Sequence, residues 1–154
     1  MQRITLLTVG KLKESWAIEG CSQYIDRLVR AVDLAIVELP ASKERDPEKQ
    51  RIDESQRLIR TMQKMDAGVW LLDERGETLT SPQFSQVIGA ARDAGRSLCF
   101  LLGGSYGVTD ALRSVAQRKL RLSTMTLPHE LCRVVFLEQL YRAMEILKGS
   151  GYHH

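Results

Sequence analysis

Short apolar runs alternate with helical patterns along the whole chain, and that alternation is the strongest constraint on its fold. The runs "RITLLTVG", "LAIVELP", "VWLLD" and "SLCFLLGG" are bounded by Gly, Pro or charge. Their length and β-branched content suit strands buried on both faces. A fifth candidate strand is "LRLST". Between the runs lie segments of helical period. The first spans about residues 14–31, and the second begins at "RDPEKQ", where Asp46 can cap and Pro47 fits the first turn. The third opens at "TSPQFSQVIGAAR" with Ser81 read as the cap and Pro82 as the first helical residue. Its residues Phe84, Val87, Ile88 and Ala91 form a core-facing stripe. Thr109 caps a short fourth helix with Ala111, Leu112, Val115 and Ala116 on one side, and Pro128 starts a long last helix.

Such an order implies an α/β fold, a mostly parallel sheet with helices on both faces. Ligands of these sheets bind outside the carboxyl ends of the strands. Two loops compete for that place, "GGSYG" at 103–107 and "STMTLPH" at 123–129. The first lacks the spacing of a dinucleotide fingerprint or a P-loop, and serves equally as a ligand cradle or a tight turn. The 154 residues, 44% of them apolar, suit one domain over 1–154. The stretch "ASKERDPEKQRIDE" reads as a solvated loop and helix face rather than a linker.

No apolar run approaches the ~20 residues of a membrane span, and "MQRITLLTVGKLKES" returns at once to lysines, so the expectation is a cytoplasmic protein without membrane contact. Cys21, Cys99 and Cys132 are far apart and lack histidines at zinc spacing, which points to reduced thiols and no metal site. The net charge is +3, and because acids and bases balance over residues 1–102, the excess lies in the last third. That asymmetry permits nucleic-acid contact without demanding it.

The last helix is apolar nearly all round, with Leu131, Val134, Val135, Phe136, Leu137, Leu140, Met144 and Leu147. A second burying surface is therefore needed, most simply a twofold mate. Glu138, Arg142 and Glu145 share the remaining stripe, where Glu138 and Arg142 read as an exposed i, i+4 pair. All three histidines fall in this helix and the tail: His129, His153 and His154. No nucleophile elbow or triad order stands out, so residue-level reading stops at a doubly wound domain. On these grounds alone it fits a flavodoxin-like module for a small ligand.

The segments "ITLLTVGKLKE", "FLLGGSYGV" and "LSTMTLPHELCRVVFLEQLYRAMEILKGSGYHH" together resemble the RlmH family of small SPOUT-class methyltransferases over essentially the whole chain. "TLPH", "EQLYRA" and the terminal Tyr-His carry the likeness most specifically. The resemblance implies N3 methylation of a pseudouridine in 23S rRNA, with S-adenosylmethionine as donor. It also implies a homodimer, a C-terminal trefoil knot, no DNA partner, and action on the assembled 70S ribosome.

By the same resemblance, the cofactor pocket falls on Leu72, Gly103, Leu122, Ser123, Thr124, Met125, Thr126 and Leu127. His153 and Arg142 become the leading catalytic pair, the first to accept or relay the N3 proton and the second to hold phosphate or a developing oxyanion. Tyr152 is expected to stack on the target base, while His129 and Arg133 orient either substrate. The family tail makes Tyr152 and His153 part of the protein rather than a tag, whereas His154 departs from the Lys or Arg usual there. Another SPOUT-class RNA target and a non-catalytic ribosome-binding factor remain alternatives.

Overall fold

The computed structural model describes residues 1–154. Five strands join one sheet: β1 (Arg3–Val9), β2 (Asp33–Leu39), β3 (Gly68–Thr78), β4 (Leu98–Leu102) and β5 (Arg118–Arg121), in the order β2-β1-β4-β3-β5. Every pairing is parallel. The helices are α1 (Ser15–Leu28), α2 (Pro47–Met62), α3 (Ser81–Asp93), α4 (Asp110–Val115) and α5 (His129–Lys148). None is long and apolar enough to cross a membrane.

The strand order decides which face each helix covers. A right-handed crossover toward one edge of a parallel sheet puts its helix on one face, and a crossover toward the other edge puts it on the opposite face. The steps β1 to β2 and β3 to β4 run one way, whereas β2 to β3 and β4 to β5 run the other. Accordingly α1, α3 and α5 share one face over a core that includes Ile4, Leu6, Trp70, Phe100, Phe136 and Leu140. The pair α2 and α4 covers the other, over Leu7, Leu58, Leu71, Leu101 and Leu112. The strand runs lack polar alternation because both sheet faces are covered.

Helix α5 lies between α1 and α3 on the sheet, burying Phe136, Leu137, Leu140, Ala143 and Met144. Leu131, Val134, Val135 and Leu147 are half-buried. The apolar circumference read as a call for a second subunit is thus covered in large part by α1, α3 and the sheet of the same chain. Gly149 at φ 72° ends the helix in the left-handed region and Gly151 at φ 81° turns the tail again, which lays Tyr152 back against Tyr141 with ring centroids 5.0 Å apart.

Several local expectations are corrected. The cap of α3 is Thr80, whose Oγ1 accepts from the Gln83 N–H while Gln83 Oε1 accepts from the Thr80 N–H; Ser81 already lies in the first turn and donates to Gln139 instead. Helix α4 stops at Val115, so of its expected apolar side only Leu112 is buried within the helix. Strand β5 begins at Arg118, earlier than "LRLST", with the Arg118 guanidinium 4.1 Å from the Trp70 ring centroid. In the mixed-charge stretch, Glu54 is not solvated but 6% exposed. The caps Asp46 and Thr109 stand as expected.

Glu130, in the first turn of α5, accepts from the backbone N–H groups of Lys13 (2.7 Å) and Glu14 (3.1 Å). Glu14 caps α1 without using its own side chain, so a residue more than a hundred positions away supplies that helix's N-terminal acceptor. The N–H groups of Glu14 and Lys13 hold the Glu130 carboxyl below the usual range. Stability from a depressed carboxyl is complete above its unfolded pKa, near ~4.3, and is lost as pH falls through the lower folded value. Replacing Glu130 with Ala should cost about 1–2 kcal/mol at neutral pH. In denaturant titrations that difference should shrink as the pH falls below about 4.

Candidate cofactor pocket and tail cluster

At the carboxyl ends of β3, β4 and β5 the chain leaves a cavity of about 630 Å³, within the range of small-ligand sites. Three segments build it. The first is a four-residue excursion of β3: Leu72 and Glu77 both register against Leu120, so residues 73–76 leave the ladder. Asp73 and Glu74 line the cavity from this excursion. Arg113 holds Asp73 through Nε at 2.7 Å.

The second segment is the loop after β4, residues 103–109, which is anchored from beneath by α2. Ser55 Oγ accepts from the Thr109 N–H at 3.1 Å. Glu54 accepts from the Ser42 N–H at 2.9 Å through one oxygen, while its other oxygen would lie 2.5 Å from a Cβ built on Gly104. Glycine at 104 therefore lets a buried carboxylate pass directly under the loop. Between these anchors the Gly107 N–H donates to the Gly104 carbonyl at 3.1 Å, closing a tight turn.

The third segment, 122–128, carries the clearest ligand signature. The N–H groups of Ser123, Thr124, Thr126 and Leu127 make no hydrogen bond within the chain, and that of Met125 takes only the Ser123 hydroxyl. Free backbone donors and acceptors in a concave wall beside Leu72, Leu102, Leu120, Leu122 and Leu127 suit a flat ring with a hydrogen-bonding edge. Of the residues expected in the pocket, Leu72, Gly103, Leu122, Ser123, Met125, Thr126 and Leu127 line it, and Thr124 does not. His129 lines it as well. Asp73, Glu74, Arg113, Arg121 and Cys132 also do so and were not singled out from the sequence.

The remaining candidates lie elsewhere. Arg142 donates to Glu138 Oε1 from Nε at 3.0 Å and from Nη2 at 2.7 Å. Its Nη1 is 3.2 Å from His153 Nδ1, and its guanidinium lies 4.8 Å from the Tyr152 ring centroid. The Tyr152 hydroxyl donates to the same Glu138 oxygen at 3.3 Å. The Glu138–Arg142 pair is thus not the exposed pair expected from spacing but a half-buried clamp on the tail, with side chains 18% and 25% exposed. Glu138 raises the Arg142 pKa further, and burial, aided by Glu138, raises that of Tyr152, so a cation and a neutral phenol face each other. His154 is exposed and makes no contact of this kind.

Arg133 also departs from expectation. It is 3% exposed, pairs with Glu38, and donates to Thr8 Oγ1 and the Gly10 carbonyl. Its guanidinium ties α5 to the ends of β1 and β2, and burial removes it from reach of an RNA backbone. Cys21 and Cys99 are buried and Cys132 half-buried, all as free thiols. No group of His, Cys, Asp and Glu is arranged to hold a metal ion.

A family model described as "Predicted SPOUT methyltransferase" matches residues 2–153. The chain is 43% identical over 153 residues to a protein of Geobacter sp. (strain M21) named Ribosomal RNA large subunit methyltransferase H, with 99% of each chain covered. A protein of the same name from Geotalea uraniireducens (strain Rf4) is 39% identical over 153 residues, again with 99% of each covered. Among solved structures, a probable methylase family protein from Haemophilus influenzae Rd KW20 shares the fold at a TM-score of 0.59. That match has 10% identity and spans 99% of this chain and 71% of the other.

Glu138→Gln should loosen the tail while leaving the cavity intact. Amide hydrogen exchange at residues 150–154 should accelerate, and global stability should fall by about 1 kcal/mol, as for a half-buried pair. Unchanged tail protection would mean that the clamp does not order the tail.

Proposed function

This chain belongs to the SPOUT methyltransferase family, among the ribosomal RNA large subunit methyltransferase H proteins, and on that premise we propose that it methylates N3 of a pseudouridine in 23S rRNA. The donor in this reading is S-adenosylmethionine, and the substrate is the assembled 70S ribosome. The cofactor, when bound, supplies an electrophilic methyl group. Family membership carries the expectation of a trefoil knot in the C-terminal third.

The residues present fit that donor. The unpaired N–H groups of Ser123, Thr126 and Leu127 and the carbonyls beside them can read the edge of an adenine, and Leu72, Leu122 and Leu127 can enclose its faces. Glu74, which makes no ion pair within the chain, brings a carboxylate to the cavity wall, complementary to a sulfonium or an ammonium group, whereas the Asp73 charge is already met by Arg113. The cavity walls fix the direction of approach, which is a large part of catalysis in an in-line transfer.

The observation that carries the mechanism is a distance along one helix. His129 opens α5 at the cavity, and Arg142 follows 13 residues later, about 20 Å farther along the axis. At that separation Arg142, Tyr152 and His153 stand away from the cavity of their own chain, which supports a working site that joins the cavity of one subunit to the tail of a second. Trp16 and Ile18 of α1, 50% and 49% exposed, offer apolar surface for such a homodimer. In the composite site Tyr152 stacks on the target base and Arg142 stabilises the oxygen that gains charge as N3 loses its proton. His153 relays that proton, and His129 at the cavity rim orients the nucleotide.

The test is complementation. Homodimers lacking residues 150–154, and homodimers blocked in the cavity by Leu122→Arg, should each lose at least a hundredfold in methyl transfer from radiolabelled S-adenosylmethionine to unmodified 70S ribosomes. Mixed dimers should recover up to half of the activity per dimer formed, since one intact composite site remains. Inactive but well-folded mixed dimers would refute the shared site. Label anywhere other than a pseudouridine N3, or equal labelling of protein-free 23S rRNA, would refute the proposed substrate.

A further inference from the structure

The tail cluster does not end at α5. Tyr141 packs edge-on against Tyr152 on one side, and on the other its centroid lies 6.2 Å from that of Tyr24 in α1. The Arg27 guanidinium carbon sits 5.4 Å from the Tyr24 centroid and 5.5 Å from that of Tyr141. Arg27, Tyr24, Tyr141, Tyr152 and Arg142 therefore form one continuous ladder of rings and guanidinium groups across two helices and the tail.

The two arginines at its ends are held differently. Arg142 is bound on two sides, by Glu138 and by His153. Arg27 is exposed, and none of the ion pairs in the chain includes it. Its guanidinium is placed by two aromatic faces, which attract the cation without engaging its N–H donors in hydrogen bonds. An arginine ordered by stacking, with its fork unoccupied, is prepared for a bidentate anion, and a phosphate diester matches that geometry.

We propose that Arg27, oriented by Tyr24 and Tyr141, binds an RNA backbone phosphate adjacent to the nucleotide that the tail serves. The site deepens the rRNA methyltransferase reading and rests on it for the identity of the RNA. Within it, stacking at Tyr152 and charge at Arg27 act on neighbouring parts of one strand, the combination by which single-stranded RNA is held. Tyr24 acts through Arg27 and is a positioning residue.

The experiment compares wild type, Arg27→Ala and Arg27→Lys on unmodified 70S ribosomes. Binding is titrated at several KCl concentrations between about 50 and 200 mM, alongside steady-state methyl transfer, S-adenosylmethionine affinity and sedimentation. With Arg27→Ala, ribosome affinity should fall roughly tenfold at low salt and the log–log salt slope by about one. KM should rise with kcat within about twofold, and cofactor affinity and oligomeric state should not change. Arg27→Lys should keep the slope but recover only part of the affinity, because a point charge replaces a planar fork.

A fall in kcat with KM and salt slope intact would make Arg27 a structural support of the tail and overturn the proposal. So would loss of the dimer, or a variant identical to wild type in every readout. The binding titration needs no turnover. If wild type binds ribosomes yet transfers no methyl group, the proposed reaction fails while the Arg27 slope still decides the phosphate contact.

Discussion

A single carboxylate connects the two halves of the molecule. Glu130 stands in the first turn of α5, where its charge suits the helix's own N-terminus, and it also closes the N-terminus of α1 by accepting from Lys13 and Glu14. The chain that begins the sheet and the chain that ends it thus converge on one side chain. Immediately before it, His129 lines the cavity, and three residues after it Arg133 binds the ends of β1 and β2. The start of α5 is consequently fixed from three directions. The free backbone donors of Ser123, Thr126 and Leu127 stand at the cavity wall just before the helix that these contacts anchor.

The fold was legible for a physical reason that did not reach the site. In a parallel sheet covered on both faces the central strands read as bare apolar runs, whereas β5, Arg118–Arg121, does not, and the caps at Asp46 and Thr109 mark helix starts with side chains adjacent in sequence. What was misread depended on tertiary partners. Arg133 looks like any arginine on a helix until Glu38, Thr8 and Gly10 surround it. Glu54 looks like part of a solvated charged stretch until Gly104 lies over it. The cap of α3 moved by one residue because Thr80 and Ser81 are equivalent in pattern, and only the reciprocal bond with Gln83 decides between them. The excursion at 73–76 leaves no periodic trace, since it is defined by the neighbouring strand's register.

Most pocket residues were reached through family resemblance rather than periodicity, and the structure shows why composition was silent. The loop 122–128 presents backbone groups, which every residue has, so its side chains need not advertise a ligand. By spacing alone Arg142 is only half of an i, i+4 pair with Glu138; its contacts with Tyr152 and His153 depend on the tail's return past Gly149 and Gly151. Tyr24 and Arg27 do carry a signal in the sequence, an aromatic and a cation three residues apart on one helix face. Its meaning appears only when Tyr141 of α5 completes the pair of rings.

The same geometry restricts how the tail can act on a proton. A guanidinium has no acceptor, so the 3.2 Å contact between Arg142 and His153 requires Nδ1 to accept and places the ring's proton on Nε2. In that tautomer His153 offers a donor to an incoming nucleotide and has no free lone pair with which to take a proton. For His153 to relay the N3 proton, the substrate must first draw Arg142 away from Nδ1. A developing negative charge on the base oxygen is the kind of partner that could do so, because it competes for the same guanidinium. In the proposed reaction, proton removal and oxyanion stabilisation would then be coupled steps of one rearrangement. Arg142 stays cationic throughout, anchored by Glu138, which takes two of its donors and leaves Nη1 to move between histidine and substrate.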